Sequence, residues 1–240
     1  DYFFRVYPTC EVSARRLAAF AVEQMARRRF VIISDQSNAG FTDAWRHCFH
    51  EQLTQMSGEV LNALPYDSSV KGFSFFKIAE QAAALRPDAV LILANALDTA
   101  LFSQQLRKLD QEVALFGSDW SFSGALIEYG GKTVEGLTFT TSLDMQSDSP
   151  DFLAFCEDYE RRFGQVPKFP AVMAYEAAGA VIQALRKDPD ASLLPESLVG
   201  LGALPGLQGT FQLNAAGDVE RATFINQVVH GQFVVLVEQR

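Results

Sequence analysis

Short apolar runs alternate with longer stretches of helical periodicity over the first 141 residues. Tyr2 to Tyr7 reads as a strand closed by Pro8, and Glu11 to Arg28 as an amphipathic helix with Leu17, Phe20, Ala21 and Met25 near one face. Phe30-Val31-Ile32-Ile33 is a near-continuous apolar run, the pattern of a strand buried on both faces. The unit then repeats. Asp35 to Gly40 is a loop, Phe41 to Ser57 a helix, and Glu59-Val60-Leu61 the start of a strand. Phe73 to Leu85 is a helix stopped before Pro87, Ala89 to Leu93 a strand, Ala96 to Leu109 a helix, and Val113 to Phe116 a strand. Strands alternating with helices predict βαβ units and a doubly wound parallel sheet of α/β class.

The pattern changes after Leu137 to Thr141, a strand that leads into the polar turn Asp144 to Pro150. Two helices follow without a strand between them, Pro150 to Phe163 and Pro170 to Leu185. A helix pair with no sheet of its own cannot bury both faces, which predicts a partner layer absent from this sequence. Leu204 to Gly209 reads as a Pro/Gly linker. The end reads as a β-ribbon: Gly209 to Leu213, a turn at Asn214 to Asp218, Ala222 to Val229, a turn at His230-Gly231, and Phe233 to Val237.

Composition narrows the function classes. The 240 residues are 48% hydrophobic and 20% charged, an ordinary globular balance. The net charge of −9 repels phosphate backbones and anionic lipid, so nucleic acid and membrane surfaces are not expected partners. No run of 18 apolar residues suggests membrane insertion. The opening Asp1-Tyr2-Phe3-Phe4-Arg5 lacks the basic and apolar regions of a signal peptide and reads as a strand entered in mid-fold. Cys10, Cys48 and Cys156 match no zinc spacing and are expected as buried free thiols on helices.

Catalytic signatures are missing. Residues 200–206 do not form G-x-G-x-x-G, Gly131-Lys132-Thr133 lacks the earlier glycine of a phosphate loop, and no G-x-S-x-G occurs. His47 and His50 share a helix face, but no further ligand is signalled, so no metal or cofactor is expected. The informative positions are polar residues directly after apolar strands, because ligands of open α/β sheets bind outside the carboxyl ends of the strands. They are Ser34 to Asn38, Asn95 to Asp98, and Ser118 to Ser121. Ser, Asp and Asn also cap helices there, and Asp98 fits a cap or first-turn role. Asp119 beside Trp120 makes a corner receptive to a cation, while Trp120 could equally plug the crevice floor. An enzyme using Asp35, Asp98 or Asp119 as acid or base would need a nucleophile or phosphate loop that is absent.

The order Phe4-Arg5-Val6-Tyr7-Pro8, Val31 to Asp35 with Gly40, Pro87 to Leu91, Gln105-Leu106-Arg107, Phe116 to Trp120, Val134 to Leu137, Phe152 to Gly164, Ala174 to Ala177, Gly209-Thr210-Phe211 and Gly217-Asp218 resembles the type I periplasmic solute-binding proteins of amino-acid ABC transporters, the branched-chain amino acid and amide group. The resemblance implies a Venus-flytrap: two α/β lobes joined by crossing strands and closing on a small ligand. Residues 1–140 and 209–240 would form the second ligand-binding lobe, and 141–208 a mostly helical part of a first lobe whose N-terminal strands are absent. Ser37, Asn38 and Ala39 then fall in the first ligand loop, Asn95 in the second, and Asp119 with Trp120 in the third, with Asp119 meeting the ligand's ammonium. Tyr175 approaches from the first lobe. Ala39 and Asn95 stand where the family often carries aromatic lids, so a larger or more polar ligand than leucine is expected. The implied function is non-enzymatic, extracytoplasmic binding of an amino acid or related small amine or amide in the periplasm, with ABC permease subunits as partners. The alternative is the sensor domain of a membrane-anchored receptor.

Overall fold

A computed structural model describes residues 2–239. In chain order the first part runs α1 (Cys10–Glu23), β1 (Arg29–Asp35), α2 (Ala39–Gln55), β2 (Glu59–Tyr66), α3 (Phe75–Ala84), β3 (Ala89–Leu93), α4 (Ala96–Leu109), β4 (Ala114–Gly117), α5 (Gly124–Gly130) and β5 (Thr138–Thr141). The remainder runs α6 (Pro150–Phe163), α7 (Phe169–Lys187), α8 (Leu194–Val199), β6 (Leu204–Gly206), β7 (Gly209–Leu213), β8 (Val219–Arg221), β9 (Thr223–Val229) and β10 (Gln232–Gln239). The chain divides into two compact units. The larger holds Cys10–Thr141 with Ile225–Val237; the smaller holds Ser142–Phe224 and the terminal stretches up to Thr9 and from Glu238.

The larger unit is built on a sheet of order β10-β9-β5-β4-β3-β1-β2, parallel from β2 through β5. Alternation along the strands feeds two apolar layers. Val31, Ile33, Val90, Ile92 and Leu115 pack with Ala79, Phe102, Leu106 and Leu126 of α3, α4 and α5. Phe30, Ile32, Leu91, Leu93 and Phe116 pack with Leu17, Phe20, Trp45 and Phe49 of α1 and α2. With both faces covered, β3 reads as an unbroken apolar run, and all five of its residues are buried.

The smaller unit corrects several expectations. The stretch read as a linker contains β6, which pairs antiparallel with β7, which pairs with β8. Ala180 and Ala184 of α7 and Leu198 of α8 pack on this small sheet through Leu204, Phe211, Leu213 and Val219. One face of the helix pair therefore has its partner layer within the sequence. The outer side stays open, with Leu153, Phe163, Tyr175 and Ile182 all more than 40% exposed. The expected single ribbon is divided. Strands β7 and β8 belong to the small sheet, while β9 and β10 extend the edge of the large one. Residues 2–9 and 209–224 accordingly fall with the smaller unit.

Tyr2 to Tyr7 forms no strand. It lies along the β7–β8 turn, held by Arg5 N–H donating to Gly217 O at 2.9 Å and by the Arg5–Asp218 ion pair at 2.7 Å. A single backbone bond makes no ladder. Gly217 is required twice over: its φ is +79°, and a Cβ there would stand 2.1 Å from Phe3 O. Helix α1 stops at Glu23, not Arg28, because Ala26 turns left-handed (φ 55°) and Arg27 N–H reaches back to Ala21 O. Cys10, Cys48 and Cys156 form no disulfide among the described residues and lie on helices, half-buried rather than buried.

Candidate functional site

The connections define where the large sheet opens. From β1 the chain crosses through α2 to β2 on one side, and from β2 it returns past β1 to β3 and continues to β4 and β5. The strand order 2-1-3-4-5 thus reverses direction between β1 and β3, the switch point outside which such sheets form a ligand crevice. Three segments finish there. The turn Gln36–Asn38 and Ala39 follow β1, Ala94 and Asn95 follow β3, and the turn Asp119–Ser121 follows β4 beside it. Six of the residues expected at a site, Ser37, Asn38, Ala39, Asn95, Asp119 and Trp120, therefore lie at one end of one sheet.

A polar brace fixes this end. Asp35 is fully buried at the tip of β1, and its carboxylate accepts from Ser37 N–H (2.9 Å), Ser68 N–H (3.1 Å) and Ser68 Oγ (2.6 Å). Burial alone would raise its pKa, but these bonds hold it below the ordinary carboxylate value. At the tip of β2, Tyr66 donates its hydroxyl to Asp98 Oδ2 at 2.7 Å. Burial first, and then the charge of Asp35, push Asp98 upward, partly offset by Tyr66 and Asn95. Burial and the bond to Asp98 push the Tyr66 phenol up as well. Asn95 caps α4 by accepting from Asp98 N–H at 3.0 Å, and a hydrogen bond from its side chain also favours the Asp98 carboxylate. Sequence reading misses Tyr66 and Ser68 because Pro65 interrupts the apolar run and hides the continuation of β2.

Asp119 sits differently. Burial pushes its carboxyl up to about 7, offset in part by hydrogen bonds from its own N–H and that of Trp120. The Trp120 ring meets Phe41, in the first turn of α2, edge to face at 5.9 Å. A folded-state value above the unfolded value of about 4 means that the folded protein holds a proton the unfolded chain has released. Stability should therefore fall as pH rises from about 4 to about 7, with Asp98 acting in the same direction. Urea unfolding at pH 5 and pH 8 measures this slope, and Asp119→Asn should flatten it; an unchanged slope would place its cause elsewhere.

Tyr175 belongs to the smaller unit, where its ring packs against Phe155 of α6 at 4.8 Å; pairing of α6 with α7 accounts for it. His47 is exposed and faces Glu51 at 3.2 Å, and among the described residues no three His, Cys, Asp or Glu side chains gather as metal ligands. Among the same residues no helix is long and apolar enough to cross a membrane.

The mixed α/β architecture with its mostly parallel sheet is that of type I periplasmic binding proteins. It superposes on a leucine-binding protein of Thermotoga maritima with TM-score 0.84 and 23% identity, over 95% of this chain and 65% of that one. A solute-binding protein of an R. palustris ABC transporter, in complex with benzoate, gives 0.82 and 17% over 98% and 64%. The branched-chain amino acid transporter substrate-binding protein LivJ of Streptococcus pneumoniae, in complex with isoleucine, gives 0.79 and 13% over 96% and 64%. The chain thus spans about two thirds of the length of these neighbours. A comparison with curated protein sequences found no match. The family model described as periplasmic binding protein matches residues 1–232, and the chain belongs to that family.

Proposed function

We propose that this chain binds a small solute bearing a protonated amine, an amino acid or a related compound, at the end of the large sheet where β1, β3 and β4 finish. The observation that carries the reading is the buried Asp119 carboxyl beside Trp120 at the reversal of strand order. A carboxylate there costs desolvation energy that a charge-assisted bond from an ammonium offsets. Asp35 and Asp98 are committed to Ser68 and Tyr66, which fits a rigid binding frame better than acid–base chemistry. Ser37, Asn38, Ala39 and Asn95 bring small or polar groups to the same end, which suits a larger or more polar ligand than leucine. The proposal rests on the larger unit alone, without Tyr175.

In the wider role this reading supports, the protein works outside the cytoplasm and hands its solute to an ABC permease, in keeping with its family. A thermal-shift screen of amino acids, amines, amides and benzoate tests the ligand class. A ligand at 100 times its Kd stabilises by about 2.7 kcal/mol. Stabilisation by cationic or zwitterionic amines supports the proposal; stabilisation by benzoate alone refutes it.

A further inference from the structure

Two of the three cysteines stand on neighbouring helices of the larger unit. Cys10 is the first residue of α1, and Cys48 lies within α2. Both are half-buried and pack against the same apolar layer, with Leu17, Trp45 and Phe49. The two helices run in the same direction. Each ends a few residues before the strand that follows it, β1 or β2, and those strands start side by side with Arg29 opposite Glu59. Arg15 of α1 reaches across to Glu51 of α2 at 2.8 Å. Glu51 is three residues beyond Cys48, so both share the side of α2 that is turned to α1. Cys10 is five residues before Arg15, and Cys48 three before Glu51. The two cysteines therefore differ by about 3 Å in level along the parallel helices. Cys48 also titrates in the field of Cys10. Burial pushes its thiol up first, then the charges of Glu11 and of the Cys10 thiolate, with Arg15 opposing them. Cys156 belongs to α6 of the smaller unit, where burial and Glu160 raise its thiol.

We infer that Cys10 and Cys48, which stand reduced in the structure, join as a disulfide that ties the first turn of α1 to α2. The chain enters the larger unit at Cys10, so the bond fixes that point of entry. The oxidant is a disulfide of the glutathione class or the disulfide of a thiol oxidase. One cysteine thiolate attacks a sulfur of the oxidant and displaces one of its thiolates, leaving a mixed disulfide. The other cysteine thiolate attacks the protein sulfur of that mixed disulfide and displaces the second oxidant thiolate. The two cysteines lose two protons and two electrons, and the oxidant takes them up as two thiols. The raised pKa of Cys48 makes it the slower to attack, so Cys10 takes the oxidant first and Cys48 closes the bond. The proposed role outside the cytoplasm supplies the oxidising compartment that favours such a bond. Closing a loop of about 40 residues restricts the unfolded chain and so stabilises the folded one. The bond is independent of which ligand the protein takes.

The test treats the whole reduced chain with oxidised glutathione at pH 8 and caps residual thiols with N-ethylmaleimide. The monomer band of a non-reducing gel is then digested with trypsin without reduction. Cleavage after Arg5, Arg15, Arg46 and Lys71 puts Cys10 in peptide 6–15 and Cys48 in peptide 47–71. Mass spectrometry should find these two peptides joined in most of the protein, two hydrogens lighter than their sum, with Cys156 capped or carrying glutathione. The oxidised protein should melt about 5 °C or more above the reduced one. The oxidant should not raise the melting temperature of Cys10→Ser, and Cys48→Ser should behave the same way, which guards against a local defect in either variant. Cys10 and Cys48 each bearing its own glutathione, or each capped by maleimide where Cys156 has reacted, overturns the inference. So does an oxidised wild type that melts no higher than the reduced one.

Discussion

Glu176→Ala should cost the smaller unit about 3–5 kcal/mol in urea unfolding, the largest stability loss expected from a single polar substitution in this protein. The Glu176 and Arg221 side chains are 1% and 6% exposed and pair at 2.7 Å. Glu176 Oε1 also accepts Leu207 N–H at 2.8 Å, which ties α7 to the β6–β7 turn. Arg221 donates to Val6 O at 3.1 Å, and its guanidinium lies over the Phe211 ring at 5.6 Å. Deleting the carboxylate leaves a guanidinium charge buried without its counterion and Leu207 N–H without an acceptor. Replacing both partners at once, Glu176→Met with Arg221→Met, should recover most of the loss, because the penalty comes from the unpaired charge. Removing the exposed Arg46–Asp43 pair should change stability by no more than about 1 kcal/mol. A Glu176→Ala loss as small as that would show that the pair does not hold the unit together.

Asp119→Asn should weaken binding of a primary amine by at least about thirtyfold, equivalent to 2 kcal/mol or more, with the free protein at pH 8 as stable as the wild type or more so. The two effects have one cause. Burial of the carboxylate has a cost that the Asp119 and Trp120 N–H groups offset only in part, so a neutral isostere should relieve the free protein and, on the proposed reading, lose the ligand. The affinity of the wild type should also rise with pH through about 7 as Asp119 ionises, while the amine itself stays protonated. Calorimetry at pH 6 and pH 8 separates these cases. If the Asp119→Asn variant binds as tightly as the wild type and shows no change in stability, Asp119 is a loop residue without a ligand.

The larger unit is legible in the sequence because burial on both faces of a parallel sheet writes itself as apolar runs. Phe30 to Ile33 and Ala89 to Leu93 stand in the structure as strands, and their polar sequels Asp35, Asn95 and Asp119 mark the strand ends. The smaller unit is not legible in the same way. Its three strands are short, β6 contains Pro205, and the apolar residues it buries come from distant stretches. The open helix pair is readable only in part: α7 is apolar almost all round, but nothing local says that its inner face meets β7 and β8. At the site, single residues are readable as polar tips, whereas the brace of Tyr66 with Asp98 and Ser68 with Asp35 joins positions more than 30 residues apart. Phe41 reads only as the start of a helix; its contact with Trp120 depends on the packing of α2 against the sheet.

The central claim is that a protonated amine binds where the large sheet reverses its strand order. Amide chemical-shift mapping during titration with 2-phenylethylamine at pH 8 tests it most directly. Perturbations are expected to group at residues 36–41, 94–98 and 118–121. Perturbations grouped at the opposite end of the same strands, around residues 26–28, 86–88 and 110–112, or confined to the smaller unit, would contradict it.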